Sequence, residues 1–235
     1  MEEPSTILLV HGAWHGAWAW DRVRDLLTAR GHRVETVDLP TVHAPDPVKL
    51  GMSDDAAAVA EAIDRIGGPV AVVAHSYGGV PVTQAAVGPT VTRVVYVCSF
   101  ALDEGESLLG FVGGVPPSCW SIEGPLVSAG TAAEPPEALL FADVEADTAA
   151  DAGARLRPQS MRAFEEPLTR VAWREHPSTY VVAERDAAVP VAAQEAMAAR
   201  AGADLVRLDT SHSPFLSQPE RLAAEIEAAV APSGR

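Results

Sequence analysis

Short apolar segments alternate with longer amphipathic segments along most of this chain. Six of the apolar segments are rich in β-branched residues and predict strands, at 6–10, 33–39, 69–75, 93–100, 178–184 and 204–209. Several of them are apolar at every position, as parallel strands are when helices cover both faces of their sheet. The pattern therefore predicts a mainly parallel six-stranded sheet.

Helical periodicity fills the gaps between most of these strands. The predicted helices are 18–30, 53–66, 76–87, 191–201 and 218–230. Gly31, Gly67 and Gly202 follow three of them and can end a helix, and Pro219 suits the first turn of the last helix. Alternating strands and helices in 235 residues predict one doubly wound α/β domain with helices on both faces.

Residues 103–177 break this alternation. They contain no clear strand, several prolines and only short helical patterns. A loop of that length without structure is improbable in a compact domain. We expect a mostly helical cap at 103–177 that includes one helix of the core layer, inserted into a core formed by 1–102 and 178–235. Such caps usually close a pocket.

Ser76 is the first candidate for chemistry, in the stretch VVAHSYGG at 72–79. It follows a predicted strand and begins a predicted helix, which is the context of a nucleophile elbow. The tight turn needs small residues two positions before and after the serine, and Ala74 and Gly78 meet that need. Alone, the motif could equally be a helix-capping serine after a strand.

A serine nucleophile needs a base and a group that orients the base. His212 follows the last predicted strand and is the base candidate, and Asp186 follows the strand before it and is the acid candidate. All three residues lie at the carboxyl ends of parallel strands, where sites form in open α/β sheets. Asp103 is an alternative acid, whereas Asp209 is poorly placed within a strand.

The loop after the first strand supplies a further part of the predicted active site. Gly12 allows a sharp turn, so that the amide of Ala13 can point towards the serine. Together with the amide of Tyr77, it would form a two-donor oxyanion hole. His11 and His15 are four residues apart, a metal-binding spacing on a helix, but here they fall on a strand end and a turn. We expect no metal site and no cofactor.

Four segments together resemble the α/β-hydrolase superfamily: HGAWHGAWAW at 11–20, AHSYGG at 74–79, ERDAAVP at 184–190 and SHSPFLSQPE at 211–220. Within it, the chain resembles the plant methylesterase and hydroxynitrile lyase branch and related small bacterial esterases. The resemblance covers about 6–230. It implies a triad of Ser76, His212 and Asp186, with the oxyanion hole described above.

The resemblance also implies that residues after Gly12 and residues of the cap line the substrate pocket. Trp14, His15 and Trp120 are the candidates, and core packing is the alternative for the tryptophans. The lyase relatives need a positive charge beside the catalytic histidine, whereas this chain has Ser213 after His212. Cyanohydrin cleavage is therefore not expected.

The composition of the chain limits the kinds of partner that it is expected to bind. The chain has 17 basic and 32 acidic residues, a net charge of −15, which argues against nucleic acid or anionic membranes as partners. It has no apolar run long enough to span a bilayer, and its N-terminus lacks the features of a secretory signal. Cys98 and Cys119 are too few for a disulfide framework, so we expect a cytoplasmic protein with reduced thiols. A homodimer is compatible with the sequence.

These observations predict a serine esterase or lactonase that cleaves a small, mainly apolar ester through an acyl-enzyme. An elimination that uses the same histidine as base is the alternative, because a fold does not fix a reaction. A binding protein on the same scaffold is a third hypothesis, which the intact triad positions disfavour.

Overall fold

A computed structural model describes residues 6–231. Its central sheet has six parallel strands in the order β2-β1-β3-β4-β8-β9. Their bounds are β1 Thr6–Val10, β2 Val34–Val37, β3 Val70–His75, β4 Val91–Val97, β8 Ser178–Ala183 and β9 Asp204–Leu208. The predicted six-stranded parallel sheet is confirmed.

Helices cover both faces of this sheet. They are α1 Asp21–Ala29, α2 Pro40–His43, α3 Met52–Ile66, α4 Gly79–Ala85, α5 Leu108–Phe111, α6 Pro136–Leu140, α7 Ala146–Arg155, α8 Arg162–Glu165, α9 Val191–Arg200, α10 Pro214–Ser217 and α11 Pro219–Val230. Successive residues of β1 point to opposite faces: Ile7 belongs to the apolar cluster that includes Leu27 of α1 and Leu222 of α11, whereas Leu8 belongs to the cluster that includes Val59 of α3. The core therefore has two apolar layers, one on each side of the sheet.

The segment 103–177 contains short strands as well as the expected helices. Beside α5 to α8 it contains a three-stranded antiparallel sheet of β5 Trp120–Glu123, β6 Leu126–Ala129 and β7 Gln159–Ser160. These strands have two to four residues and β5 is partly exposed, so their sequences carry little alternation. The helical part of segment 103–177 that joins the core layer includes a one-turn 3-10 helix, Ala172–Arg174, which packs against α4.

The carboxyl ends of β1, β3, β8 and β9 lie at one edge of the sheet. The loops that follow these ends carry the candidate residues. The predicted strand 93–100 ends early, at Val97, because Cys98 turns out of the sheet with φ 38°. Within residues 6–231, no helix combines the length and the apolar character that crossing a membrane requires.

Candidate active site

Ser76 lies at the sharp turn between β3 and α4, with φ 50°. A non-glycine residue in this left-handed region is strained and needs support from its surroundings. The support comes from the loop after β4, where the Ser99 hydroxyl and the Phe100 amide donate to the Ser76 carbonyl at 2.7 and 3.1 Å. The loop after β4 thus stabilises the strained conformation of Ser76.

The small residues around Ser76 are required by close backbone contacts. A methyl carbon added at Gly78 would lie 2.4 Å from the His11 carbonyl oxygen, and one added at Gly12 would lie 2.9 Å from Cβ of Ser76. Ala74 is fully buried in β3. The loop after β1 and the turn that carries Ser76 are therefore in direct contact.

The structure pairs His212 with Asp186. Nδ1 of His212 lies 2.7 Å from Oδ2 of Asp186, and both side chains are almost completely buried. The other carboxylate oxygen accepts the amides of Ala188 and Val189 at 2.8 and 2.9 Å, and Gln194 donates to Oδ2 at 3.1 Å. In the neutral ring Nδ1 then carries the proton, which leaves Nε2 as the basic atom. His212 and Ser76 line the same cavity.

Two residues that the sequence did not suggest hold the His212 backbone. His75 Nε2 lies 2.8 Å from the His212 carbonyl oxygen, and the Cys98 thiol donates to the same oxygen at 3.3 Å. Burial holds the pKa of His75 well below its usual range, so this ring is neutral. Both residues belong to apolar strand sequences, and only the fold brings them under His212.

The alternative acids are engaged elsewhere. Asp103 forms an ion pair with Arg174, and Asp209 pairs with Arg185 at 2.6 Å with its side chain mostly exposed. Asp186 is the carboxylate that the structure brings to His212.

The cavity beside Ser76 and His212 is predominantly apolar. Ala13 and Tyr77, the predicted oxyanion residues, line it, as do Trp14 and Trp120. The other apolar lining residues are Phe100, Leu108, Val112, Pro117, Leu139, Leu140, Phe164, Ala188 and Val189. Six of these come from the segment 103–177, which thus forms much of the cavity wall.

His15 is not among the residues that line this cavity. Its ring is buried against Phe141 and Phe215, and its Nδ1 lies 2.7 Å from the Ala13 carbonyl oxygen. Burial lowers its pKa to about 3, so the ring stays neutral. The structure thus places the His15 ring in the core beside Phe141 and Phe215, away from the residues that line this cavity, where sequence analysis had placed it.

Histidines near the start of the chain also form a cluster with Asp38. Nε2 of His11 accepts the Leu39 amide at 3.0 Å, while Nε2 of His43 lies 2.9 Å from the His15 carbonyl oxygen. Hydrogen bonds therefore occupy the imidazole nitrogens that a metal would need.

A buried carboxylate, Asp55 on α3, lies beneath the site. It accepts hydrogen bonds from the Thr41 amide at 3.0 Å, from the Thr41 hydroxyl at 2.6 Å and from the Tyr77 hydroxyl at 2.6 Å. Burial raises the pKa of Asp55 to about 6, although the bonds from Thr41 and Tyr77 act against that rise. Sequence reasoning missed it, because an acid near a helix N-terminus usually faces solvent.

Residues 7–225 match the family described as "Alpha/beta hydrolase family". The chain belongs to the alpha/beta hydrolase family. It is 29% identical over 232 residues to the alpha/beta hydrolase nvfD of Aspergillus novofumigatus, covering 91% of this chain and 92% of that protein. It is 38% identical over 104 residues to Methylesterase 9 of Arabidopsis thaliana, covering 41% of this chain and 40% of that protein.

Among solved structures, a pyrethroid hydrolase from Sphingobium faniae is similar with a TM-score of 0.84 and 26% identity, covering 97% of this chain and 98% of that chain. These matches confirm the predicted fold, the resemblance to plant methylesterases and the prediction of a hydrolase enzyme. They do not favour the elimination alternative.

Proposed function

We propose that this hydrolase is a serine esterase in which Ser76, His212 and Asp186 form the catalytic triad. The observation that carries the proposal is the 2.7 Å contact between His212 and Asp186, at a cavity that also contains the strained Ser76. The esterases among its relatives support the same reaction class. The cap at 103–177 over a core of 1–102 and 178–235 is part of this proposal.

In the proposed reaction, Nε2 of His212 takes the proton of Ser76 as Oγ attacks the ester carbonyl. The amides of Ala13 and Tyr77 stabilise the tetrahedral oxyanion, each contributing about 3 kcal/mol to the lower barrier. His212 then protonates the leaving alcohol, which departs and leaves an acyl-enzyme. Water repeats the sequence with the same base and releases the acid.

The lining of the cavity indicates the substrate class. None of the described residues that line it is Lys, Arg, Asp or Glu. A charged group on the substrate would lose its hydration there without gaining a partner. An uncharged, mainly apolar ester or lactone is therefore the preferred substrate, and the carboxylate product is poorly retained.

Labelling with a fluorophosphonate tests the activated serine. Intact mass after incubation should show one adduct on the wild type and on Ser118→Ala, and none on Ser76→Ala. Ser118 is an exposed serine between two residues that line the cavity, so it is a matched control. A wild-type protein that remains folded without an adduct, or an adduct that persists in Ser76→Ala, would contradict the proposal.

A further inference from the structure

Trp14, the residue after the proposed oxyanion donor Ala13, is held by the cap through all three of its polar groups. Its amide donates to Oε1 of Gln159 at 3.2 Å, its carbonyl accepts the Arg157 amide at 2.9 Å, and its indole Nε1 donates to the Val127 carbonyl at 2.9 Å. Trp14 has φ 64°, a strained conformation for a tryptophan. The cap segments therefore fix the conformation of this loop.

The contacts continue from Gln159 into the core. Its Nε2 donates to the Thr41 hydroxyl at 2.9 Å, and that hydroxyl donates to Asp55 at 2.6 Å. The Tyr77 hydroxyl donates to the same oxygen of Asp55 at 2.6 Å. Gln159, Thr41 and Asp55 have no exposed surface, so water cannot replace a missing partner without entering the core. We call these three residues the buried relay.

The two ends of the buried relay contact the residues next to or at the two proposed oxyanion donors. One end holds the amide of Trp14, directly after the Ala13 amide, and the other holds the side chain of Tyr77, whose own amide is the second donor. Transition-state stabilisation depends on donors fixed within about 0.5 Å of their productive positions. Buried hydrogen bonds that run from Trp14 through Gln159 and Thr41 to Asp55, and from Tyr77 to the same carboxylate, connect the neighbourhoods of both donors in this way.

We propose that Gln159, Thr41 and Asp55 are positioning residues that fix the two oxyanion-hole amides relative to Ser76. The inference rests on the proposed esterase function. Within it, a strand of the cap serves the chemical step as well as covering the substrate, because Gln159 lies in β7. The competing explanation is that the buried relay contributes only to folding stability.

Substitutions at Thr41 separate these explanations. Thr41→Val keeps the shape of the side chain but removes the hydroxyl that joins Gln159 to Asp55, whereas Thr41→Ser restores it. Thr83→Val is the matched control, since Thr83 is a buried threonine whose hydroxyl lies 2.9 Å from that of Tyr96, within the core. The measurements are kcat and KM with p-nitrophenyl butyrate, the rate of fluorophosphonate labelling, and the melting temperature.

We expect Thr41→Val to lower kcat and the labelling rate together, by about 5- to 20-fold, with KM within about twofold of the wild type. Thr41→Ser should return to within about twofold of wild type, and Thr83→Val should keep the wild-type kcat even if its melting temperature falls. Tyr77→Phe removes the hydrogen bond between Tyr77 and the Asp55 end of the buried relay and should reproduce the kcat effect, which keeps the test available if Thr41→Val does not fold.

These experiments distinguish failure of the proposed function from failure of the buried-relay proposal. If Ser76→Ala hydrolyses the ester at the wild-type rate, the proposed function itself is wrong. If Ser76 is required and labelled, but folded Thr41→Val and Tyr77→Phe keep wild-type kcat and labelling rates, the triad stands and the buried relay is only structural.

Discussion

At the scale of single residues, the Asp186 carboxylate controls the site. It accepts hydrogen bonds from four N–H groups, those of Ala188, Val189, Gln194 and His212. Such bonds fix the orientation of the carboxylate. Because Asp186 accepts from Nδ1, it selects the histidine tautomer whose Nε2 can take a proton.

Asp186→Asn should therefore reduce kcat by about 10³- to 10⁴-fold while the protein remains folded. The amide nitrogen of asparagine can donate to Nδ1 and so favours the tautomer with the proton on Nε2, which cannot act as base. Steady-state hydrolysis of p-nitrophenyl butyrate measures the loss. Asp209→Asn, at an exposed carboxylate three residues before His212, is the control and should stay within about twofold of wild type. A tenfold loss or less in Asp186→Asn would contradict the assigned role.

At the scale of elements, the site depends on how closely the turn after β3 approaches the end of β1. The Gly78 Cα faces the backbone of Val10 and His11, and the first helical residues follow directly. Main-chain atoms cannot move aside as a flexible side chain can, so this contact limits the side chain at position 78 to hydrogen.

Gly78→Ala should lower the free energy of unfolding by about 1–3 kcal/mol, the usual cost of forcing an extra carbon into a packed interior. It should also displace the turn and reduce kcat. Gly68→Ala is the matched control, because a methyl carbon there meets no atom within 4 Å among the described residues. Urea unfolding of both variants provides the measurement. Equal stability of the two variants would show that the turn has room to relax.

The sequence was most informative about elements where its apolar pattern is strong. The strands β1, β3, β8 and β9 were predicted to within one residue, and the first three are mainly apolar because they are buried in the sheet. The strands β5 to β7 were missed, since strands of only two to four residues carry little pattern. The roles of Asp55 and His75 were also missed, for a different reason. Their hydrogen-bond partners lie far from them along the chain, and only the fold brings the partners together.

At the scale of the whole molecule, the segment 103–177 is joined to the loop that carries His212. Asp143, between α6 and α7, accepts hydrogen bonds from the Thr210 hydroxyl at 2.9 Å and the Ser211 amide at 3.0 Å, and from the Ser211 hydroxyl. Although burial acts to raise the pKa of Asp143, the bonds from Ser211 and Thr210 lower it below 3.8 overall. The proposed cap and the histidine loop are thus linked through an ionised carboxylate.

Because the pKa of Asp143 is lower in the folded protein than its ordinary value of 3.8, its contribution to stability is present above that value and is lost as pH falls through the folded pKa. Asp143→Asn should therefore lower the free energy of unfolding by about 1 kcal/mol at pH 7, and its difference from the wild type should shrink below about pH 4. Thermal melts from pH 3 to pH 7 measure this. Asp151→Asn, at an exposed carboxylate on α7, serves as control. A difference that is constant with pH would contradict the assignment.

The most direct test of the central claim is to trap the acyl-enzyme during turnover. Wild-type protein mixed with excess p-nitrophenyl butyrate and quenched in acid within milliseconds should gain the mass of one butyryl group, and peptide mapping should place it on Ser76. Ser76→Ala should gain no such mass and release p-nitrophenol at no more than a small fraction of the wild-type rate. Rapid ester hydrolysis by Ser76→Ala, or a butyryl group mapped to a different residue, would contradict the account.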